Sequence, residues 1–205
     1  MSINSYIARQ FSKPTGFGGR VITAIMNRQN YQLYEETLHL LSPCDAENVL
    51  DIGCGNGYVL GMLAARSDCF CVGIDISESI LKSATKRNHR FIKKGNMTFK
   101  YGEAARIPFG SAVFDKAYTI NTVYFWGDLN VIMTEVRRVL KPGGMFVNTL
   151  YTNDTLARFS HTQFGYKRFA QGQLISAAQY AGFGAKAIPI MGGAAYCVIC
   201  NAPSQ

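Results

Sequence analysis

Long apolar runs are missing from this 205-residue sequence. No stretch approaches the roughly 18 to 20 apolar residues that a membrane-spanning helix needs. The first residues also lack the apolar segment behind a basic start that marks a secretory signal, and no lipid-anchor motif is visible. We therefore expect a soluble, cytoplasmic protein. Because 48% of its residues are hydrophobic, the chain can bury the core of one domain without disulfides or metal.

Metal-ligand patterns are scarce as well. Of the six cysteines, two close pairs stand out, Cys69 with Cys71 and Cys197 with Cys200. Both pairs lie in apolar, strand-like runs, where the first pair shares one face and the second points to opposite faces. We therefore interpret them as buried free thiols and predict no metal site.

Acidic residues are few, with 13 against 21 lysines and arginines, and the formal net charge is +8. In the densest basic run, Lys82, Lys86, Arg90 and Lys93 recur at spacings of three and four, which places them on one helical face. A solvated helix face accounts for such a run without a nucleic-acid partner. Nucleic acid is thus a disfavoured partner that the sequence does not exclude.

Strand-like and helix-like segments alternate along the chain. Short apolar runs predict strands at 48–52, 69–74, 97–101, 116–120 and 145–151. Helical periodicity predicts helices at 31–41, 58–66, 129–140 and 171–180, and a further helix that begins at about Ser77. Gly192 and Gly193 separate two further apolar runs, which predicts a hairpin and an antiparallel strand at the sheet edge. Repeated strand–helix units imply an α/β fold, with a mostly parallel sheet covered by helices on both faces.

No internal repeat or shift in composition divides the chain, so we predict one domain over residues 1–205. Within it, residues 1–44 are expected to form a helical arm or lid, which includes a helix near Val21 to Met26. Residues 45–150 would form a ligand-binding core. Residues 151–205 would form a segment on the substrate side and the terminal hairpin.

The most informative segment reads VLDIGCGNG, from Val49 to Gly57. Its glycines follow the spacing G-x-G-x-G, whereas dinucleotide-binding turns use G-x-G-x-x-G. Glycines between a strand and a helix let the backbone approach a ligand at the carboxyl edge of the sheet. Asp51 at the strand end is poorly suited to a pyrophosphate but well suited to a ligand with an ammonium group. Asp75, at the end of the next strand, can accept both hydroxyls of a ribose.

Three further segments continue the pattern: VGIDIS at 72–77, YGEAARIPFGSAVFDKAYTINTVYFW at 101–126 and EVRRVLKPGGMFV at 135–147. Together with VLDIGCGNG, they resemble the motifs of class I S-adenosylmethionine-dependent methyltransferases of the small UbiE-like (methyltransferase type 11) family. The resemblance covers roughly residues 45–150. It implies a Rossmann-like, seven-stranded sheet, S-adenosylmethionine as cofactor, S-adenosylhomocysteine as product, and direct in-line displacement of the methyl group.

The resemblance also implies a set of cofactor-binding residues. Asp51, Gly53 and Gly55 would hold the methionine end, Asp75 would hold the ribose, and Ile76 would pack on the adenine. The complete implied set is Asp51, Gly53, Cys54, Gly55, Asp75, Ile76, Gly102, Glu103, Ala104, Asn121 and Thr122. The family often has aspartate where Glu103 stands, so this longer acid reaches the adenine amino group differently or leaves that contact to the backbone.

A catalytic residue is not specified by any motif. The methyl group of a sulfonium is already electrophilic, so the protein mainly aligns the acceptor and excludes water, and a general base is optional. Tyr124, Tyr151 and His161 are the weak candidates for proton handling. Aromatic residues on the substrate side predict a small, apolar or aromatic acceptor. The predicted acceptor-pocket residues are Phe11, Phe17, Tyr124, Trp126, Tyr151 and Phe164.

Alternative functions remain open at this point. An RNA or protein methyltransferase is favoured by the positive charge, but the sequence has no appended binding module and no N-P-P-Y or D-P-P-Y stretch. A non-catalytic S-adenosylmethionine-binding protein would keep the fold without turnover. A nicotinamide-dependent oxidoreductase would need the G-x-G-x-x-G spacing, which is missing. The acceptor and the oligomeric state do not follow from the residues.

Overall fold

The computed structural model describes residues 26–204. The strands of this region are β1 (Asn48–Ile52), β2 (Phe70–Asp75), β3 (Met97–Tyr101), β4 (Phe114–Ile120), β5 (Leu140–Tyr151), β6 (Gly184–Ile190) and β7 (Ala195–Asn201). Its helices are α1 (Tyr31–Leu41), α2 (Tyr58–Ala64), α3 (Glu78–Arg87), α4 (His89–Lys94), α5 (Leu129–Val139), α6 (Asn153–Ala157) and α7 (Gln171–Tyr180). Short 3₁₀ turns cover Val123–Phe125, Ser160–Gln163 and Met191–Gly193.

The seven strands form one sheet in the order β3-β2-β1-β4-β5-β7-β6. Strands β1 to β5 run parallel, and β7 is antiparallel to both β5 and the outermost strand β6. This arrangement confirms the predicted α/β, Rossmann-like fold with an antiparallel pair at the edge. Because β1 lies between β2 and β4, the carboxyl ends of these three strands are neighbours. Ligands of open α/β sheets bind at that edge.

Apolar side chains pack on both faces of the sheet. One cluster includes residues of α5 and α7, and the other includes residues of α1 and α2. Cys69 and Cys71 lie in the same cluster, whereas Cys197 and Cys200 lie in different ones. All four are buried and free of disulfides, as the strand pattern predicted.

Two local predictions were wrong. The basic helix does not continue through Asn88, because the Asn88 side chain donates to the carbonyl of Gly57 at 2.9 Å and helix α3 ends there. The second concerns residues 141–144 (KPGG), which lie between the predicted helix at 129–140 and the predicted strand at 145–151. They belong instead to β5, where the pairing with β4 shifts register between Phe114 and Lys116. An irregular insertion in a strand pair accommodates such extra residues without ending the strand.

Part of the predicted arm lies outside the described residues. This applies to Phe11, Phe17 and the helix that we expected near Val21 to Met26, of which only Met26 is described. Between residues 26 and 204, no helix is long and apolar enough to cross a membrane. The division into arm, core and substrate-side segment stays a prediction.

Candidate active site

A cavity of about 540 Å³ opens at the carboxyl ends of β1, β2 and β4. Each of the eleven predicted cofactor residues lines it: Asp51, Gly53, Cys54, Gly55, Asp75, Ile76, Gly102, Glu103, Ala104, Asn121 and Thr122. They come from four separate sequence segments. The fold therefore brings the whole predicted set to one place.

The turn after β1 depends on its glycines. Gly53 has a φ of +77°, and a Cβ there would come within 2.5 Å of the Thr122 Cγ2 atom. Gly53 thus lets the turn pass close to the end of β4. At Gly55, φ is +52° and no heavy atom lies within 4 Å of where a Cβ would be. A side chain at Gly55 would be strained, and its absence keeps space beside the cavity open.

Asp51 is the most deeply buried carboxyl group of the site. Its side chain is 4% exposed, and the Tyr118 hydroxyl donates to its Oδ2 at 2.9 Å. The pKa of Asp51 is raised to about 8, mainly by burial. The hydrogen bond from Tyr118 lowers the pKa, and the nearby charge of Asp75 contributes to raising it. Among the described residues that line the cavity there is no lysine or arginine. A cationic ligand is therefore the natural partner of this carboxylate.

Asp75 is fixed by the backbone on both sides. Its Oδ2 accepts from the Gly55 N–H at 3.0 Å, and its Oδ1 accepts from the Ser77 N–H at 2.9 Å. Burial raises its pKa, although these hydrogen bonds oppose the shift. Each carboxylate oxygen retains a lone pair for a hydroxyl donor. The neighbouring Ile76 side chain is 47% exposed and offers an apolar surface at the cavity wall.

The segment that follows β3 forms the next part of the cavity wall. The Gly102 N–H donates to the Asp75 carbonyl at 3.2 Å, which joins this segment to β2. A Cβ on Gly102 would come within 2.7 Å of Pro108. Glu103 is exposed, and its carbonyl accepts from the Arg106 N–H at 3.0 Å. The backbone here is consequently held independently of the Glu103 carboxylate.

A second cavity, of about 60 Å³, adjoins the first. The two share Met26, Asn30, Asn121 and Phe125 as lining residues. Side chains with aromatic rings form much of the rest of its wall, namely Tyr124, Tyr151, Phe159, His161 and Tyr166. We refer to it as the aromatic pocket.

The predicted acceptor residues are distributed unevenly. Tyr124 and Tyr151 line the aromatic pocket, and Trp126 lines the larger cavity. Phe164 is 42% exposed and lines neither cavity. Phe11 and Phe17 lie outside the described residues.

The three candidates for proton handling have different surroundings. Tyr124 is 1% exposed, and burial raises its pKa well above the usual value, so its phenol stays neutral. Tyr151 donates its hydroxyl to Asn30 Oδ1 at 2.8 Å, and burial raises its pKa too. Burial lowers the pKa of His161, whose ring lies 5.9 Å from that of Tyr166. Of the three, only His161 is suited to take up a proton near neutral pH.

Sequence reasoning missed several lining residues, among them Asn30, Tyr34, Tyr58 and Tyr118. Tyr118 contacts Asp51 across 67 residues of sequence, and Asn30 contacts Tyr151 across 121. No local pattern could have revealed these pairs.

Known proteins share both the sequence motifs and the fold. The model of the family described as "Methyltransferase domain" matches residues 50–148. The Bacillus subtilis methyltransferase YdaC is 29% identical over 160 residues, which cover 78% of this chain and 83% of YdaC. Rice 24-methylenesterol C-methyltransferase 2 is 32% identical over 133 residues, covering 64% of this chain and 37% of the rice enzyme. Matches to two fungal O-methyltransferases span 40% and 50% of their lengths, so the chain spans half or less of several curated relatives.

Among solved structures, a chain from the complex between the Haloferax volcanii Trm112 methyltransferase activator and a methyltransferase superposes with a TM-score of 0.80. The match covers 99% of this chain and 100% of that chain at 17% identity, and it shows the shared fold. The family match covers the strands that end at the cavity, and its motifs contain the glycine turn and both aspartates. Residues 50–148 match the methyltransferase family model, and this part of the chain is similar to the class I S-adenosylmethionine-dependent methyltransferases of the UbiE-like type, a family whose cofactor is S-adenosylmethionine.

Proposed function

We propose that this protein transfers the methyl group of S-adenosylmethionine to a small, apolar or aromatic acceptor by direct in-line displacement. The observation that carries the proposal is the aromatic pocket, which adjoins the larger cavity through Asn30, Asn121 and Phe125. The larger cavity would hold the cofactor and the aromatic pocket the acceptor. Alignment of two reactants in adjoining sites is the main contribution a protein makes to such a transfer.

The charged and polar lining of the larger cavity supports S-adenosylmethionine as its ligand. Asp51 is a buried carboxylate without a described cation beside it, and it would pair with the ammonium of the methionine end. Asp75 would accept the ribose hydroxyls, and the open space at Gly55 leaves room for the ligand at the turn. Bound S-adenosylmethionine supplies a methyl group that its sulfonium makes electrophilic.

The aromatic pocket supports a neutral acceptor. The described residues that line it include no lysine, arginine, aspartate or glutamate, and burial lowers the pKa of His161, which favours its neutral form. A carboxylate or phosphate on the acceptor would therefore enter without a counter-charge, which is unfavourable in a buried site. The names of the rice sterol methyltransferase and of the fungal O-methyltransferases also support a small-molecule acceptor.

Methyl transfer from cofactor carrying a tritiated methyl group tests the proposal. The purified protein is incubated with a panel of small phenols and other neutral ring compounds, and in parallel with transfer RNA and a mixed protein substrate. We expect label in the small-molecule fraction. A variant that narrows the aromatic pocket, Tyr166→Trp, should reduce labelling of the acceptor without changing cofactor affinity. Label confined to RNA or protein would contradict the proposal.

A further inference from the structure

Two asparagine side chains line both the larger cavity and the aromatic pocket. Asn30 and Asn121 are the only residues of the shared lining with hydrogen-bonding side chains in the part of the chain described. A tyrosine hydroxyl donates to the carbonyl oxygen of each. The Tyr151 hydroxyl donates to Asn30 Oδ1 at 2.8 Å, and the Tyr124 hydroxyl donates to Asn121 Oδ1 at 3.1 Å.

The orientation of the Asn121 carboxamide follows from the partners of Tyr124. The Tyr124 oxygen accepts the Tyr151 N–H at 2.8 Å, and the nearest acceptor for its own proton is Asn121 Oδ1, since the Tyr151 carbonyl is 3.5 Å away. With its oxygen held in this way, the carboxamide turns its NH₂ group away from Tyr124. No residue between 26 and 204 accepts a hydrogen bond from that group in the structure.

The backbone of Asn121 is fixed as well. Its φ of +57° is left-handed, a conformation that asparagine tolerates better than most residues, and its N–H donates to the Thr149 carbonyl at 2.9 Å. A side chain with both its backbone and its carbonyl oxygen fixed loses little freedom when it binds a ligand, which favours selective binding.

We propose that Asn121 determines acceptor specificity by donating an amide N–H to a hydroxyl or carbonyl oxygen of the acceptor, with Tyr124 as the residue that positions the carboxamide. This inference rests on the proposed function. An NH₂ group favours an oxygen lone pair over a methyl or ammonium group at the same position. Since no described lysine or arginine lines either cavity and burial favours the neutral form of His161, the oxygen belongs to a neutral group rather than to a carboxylate or phosphate.

Phenol and toluene form a matched pair of probes, because they differ by one hydroxyl group of similar size to a methyl group. Each is titrated into the complex of the protein with S-adenosylhomocysteine, and binding is followed by protein-observed NMR. We expect the wild type to bind phenol about threefold to tenfold more tightly than toluene, as one neutral hydrogen bond would provide.

Two substitutions at Asn121 remove the donor in different ways. Asn121→Asp keeps the shape and the hydrogen bond from Tyr124, and Asn121→Gly removes the side chain while tolerating the positive φ. Asn121→Gly should abolish the preference for phenol over toluene in protein that is saturated with S-adenosylhomocysteine. The carboxylate of Asn121→Asp can only accept the phenol O–H, so any preference in that variant reflects a hydrogen bond of the opposite direction. Tyr124→Phe should reduce the preference partially. If Asn121 had a purely structural role, its substitution would weaken the binding of both probes alike.

The outcomes separate this inference from the proposed function. Equal binding of phenol and toluene by the wild type, or a preference that survives in Asn121→Gly, would overturn the role of Asn121 and leave the aromatic acceptor in place. Binding of neither probe by the wild-type complex would contradict the aromatic acceptor itself, and this inference with it.

Discussion

The Tyr118 hydroxyl donates a 2.9 Å hydrogen bond to the Asp51 carboxylate at the wall of the larger cavity. Tyr118 lies on β4 and Asp51 on β1, at directly paired positions of the parallel sheet. Burial raises the pKa of Asp51 to about 8 in spite of this bond. The site therefore contains an acid that ionises readily only when a cation is brought to it, and two predictions depend on this property.

Cofactor affinity should increase with pH. If Asp51 pairs with the ammonium of S-adenosylhomocysteine, the ligand binds the ionised carboxylate and releases its proton. Below a pKa of about 8, affinity is then expected to rise by up to about tenfold per pH unit. Calorimetric titration between pH 5.5 and 7.5, in buffers of different ionisation enthalpy, measures both the affinity and the proton release.

Two variants serve as controls for this pH dependence. Tyr118→Phe removes the hydrogen bond that lowers the Asp51 pKa, so its affinity profile should move to higher pH. Asp51→Asn has no carboxylate to ionise and should give a weaker, nearly flat profile. A wild-type affinity that does not change over this range would contradict a role for Asp51 in binding the ammonium.

The contribution of Asp51 to the free energy of unfolding should fall as pH rises, whereas cofactor affinity should increase. The pKa of Asp51 is higher in the folded state, about 8, than its ordinary value of 3.8. Between these values the folded state binds more protons than the unfolded state, so stability due to this group is present at low pH and is lost as pH rises through 8. Urea unfolding of the ligand-free protein should show Asp51→Asn gaining stability relative to the wild type from pH 5 to pH 8. A constant difference would show that burial does not shift Asp51.

The glycine turn predicts two distinct mutant phenotypes. Gly53→Ala places a Cβ within 2.5 Å of Thr122 at a φ of +77°, so we expect a loss of about 2 kcal/mol or more of unfolding free energy. Gly55→Ala meets no atom within 4 Å and should cost only about 1 to 2 kcal/mol for its left-handed backbone. Its methyl group would instead reduce cofactor affinity. Urea unfolding and calorimetric titration together distinguish the two variants.

A double variant checks the cause of the Gly53 effect. Thr122→Ser removes the Cγ2 atom that a Cβ on residue 53 would meet. The pair Gly53→Ala with Thr122→Ser should therefore recover part of the lost stability. Additive effects of the two substitutions would mean that backbone strain alone, rather than this contact, accounts for the loss.

Asn148 is predicted to lower the stability of the fold. It is fully buried on β5, and neither its Nδ2 nor its Oδ1 has a hydrogen-bond partner within the described region. Its neighbours on the same face of the strand, Phe146 and Leu150, are buried apolar residues. Replacement by leucine should raise the free energy of unfolding by about 1 to 2 kcal/mol. Asn148→Asp, which buries a charge, should lower it, and a destabilised leucine variant would contradict this account.

The cofactor side of the site could be predicted from sequence because its residues lie at strand ends, within short contiguous motifs. Strand length and periodicity place Asp51, Asp75 and Asn121 at the same sheet edge, and parallel pairing then brings them together. The eleven residues that the family resemblance implies all line one cavity, and their role in binding the cofactor stays a prediction.

The acceptor side could not be predicted in the same way. The hydrogen bond between Tyr151 and Asn30 joins a strand end to a residue 121 positions earlier, and such pairs are set by tertiary packing. The break between α3 and α4 has a similar origin, since Asn88 bonds to Gly57, 31 residues away. Aromatic composition indicated the character of the pocket, but Phe164 shows that composition does not fix which rings line it.

Calorimetric titration with S-adenosylmethionine and S-adenosylhomocysteine, beside Asp51→Ala and Asp75→Ala, tests the central claim most directly. The account predicts binding in the micromolar range for the wild type and loss of binding in both variants, while each variant retains its cooperative unfolding transition. Wild-type protein that binds neither ligand, or folded variants that bind both as tightly as the wild type, would contradict the assignment of this cavity as the cofactor site.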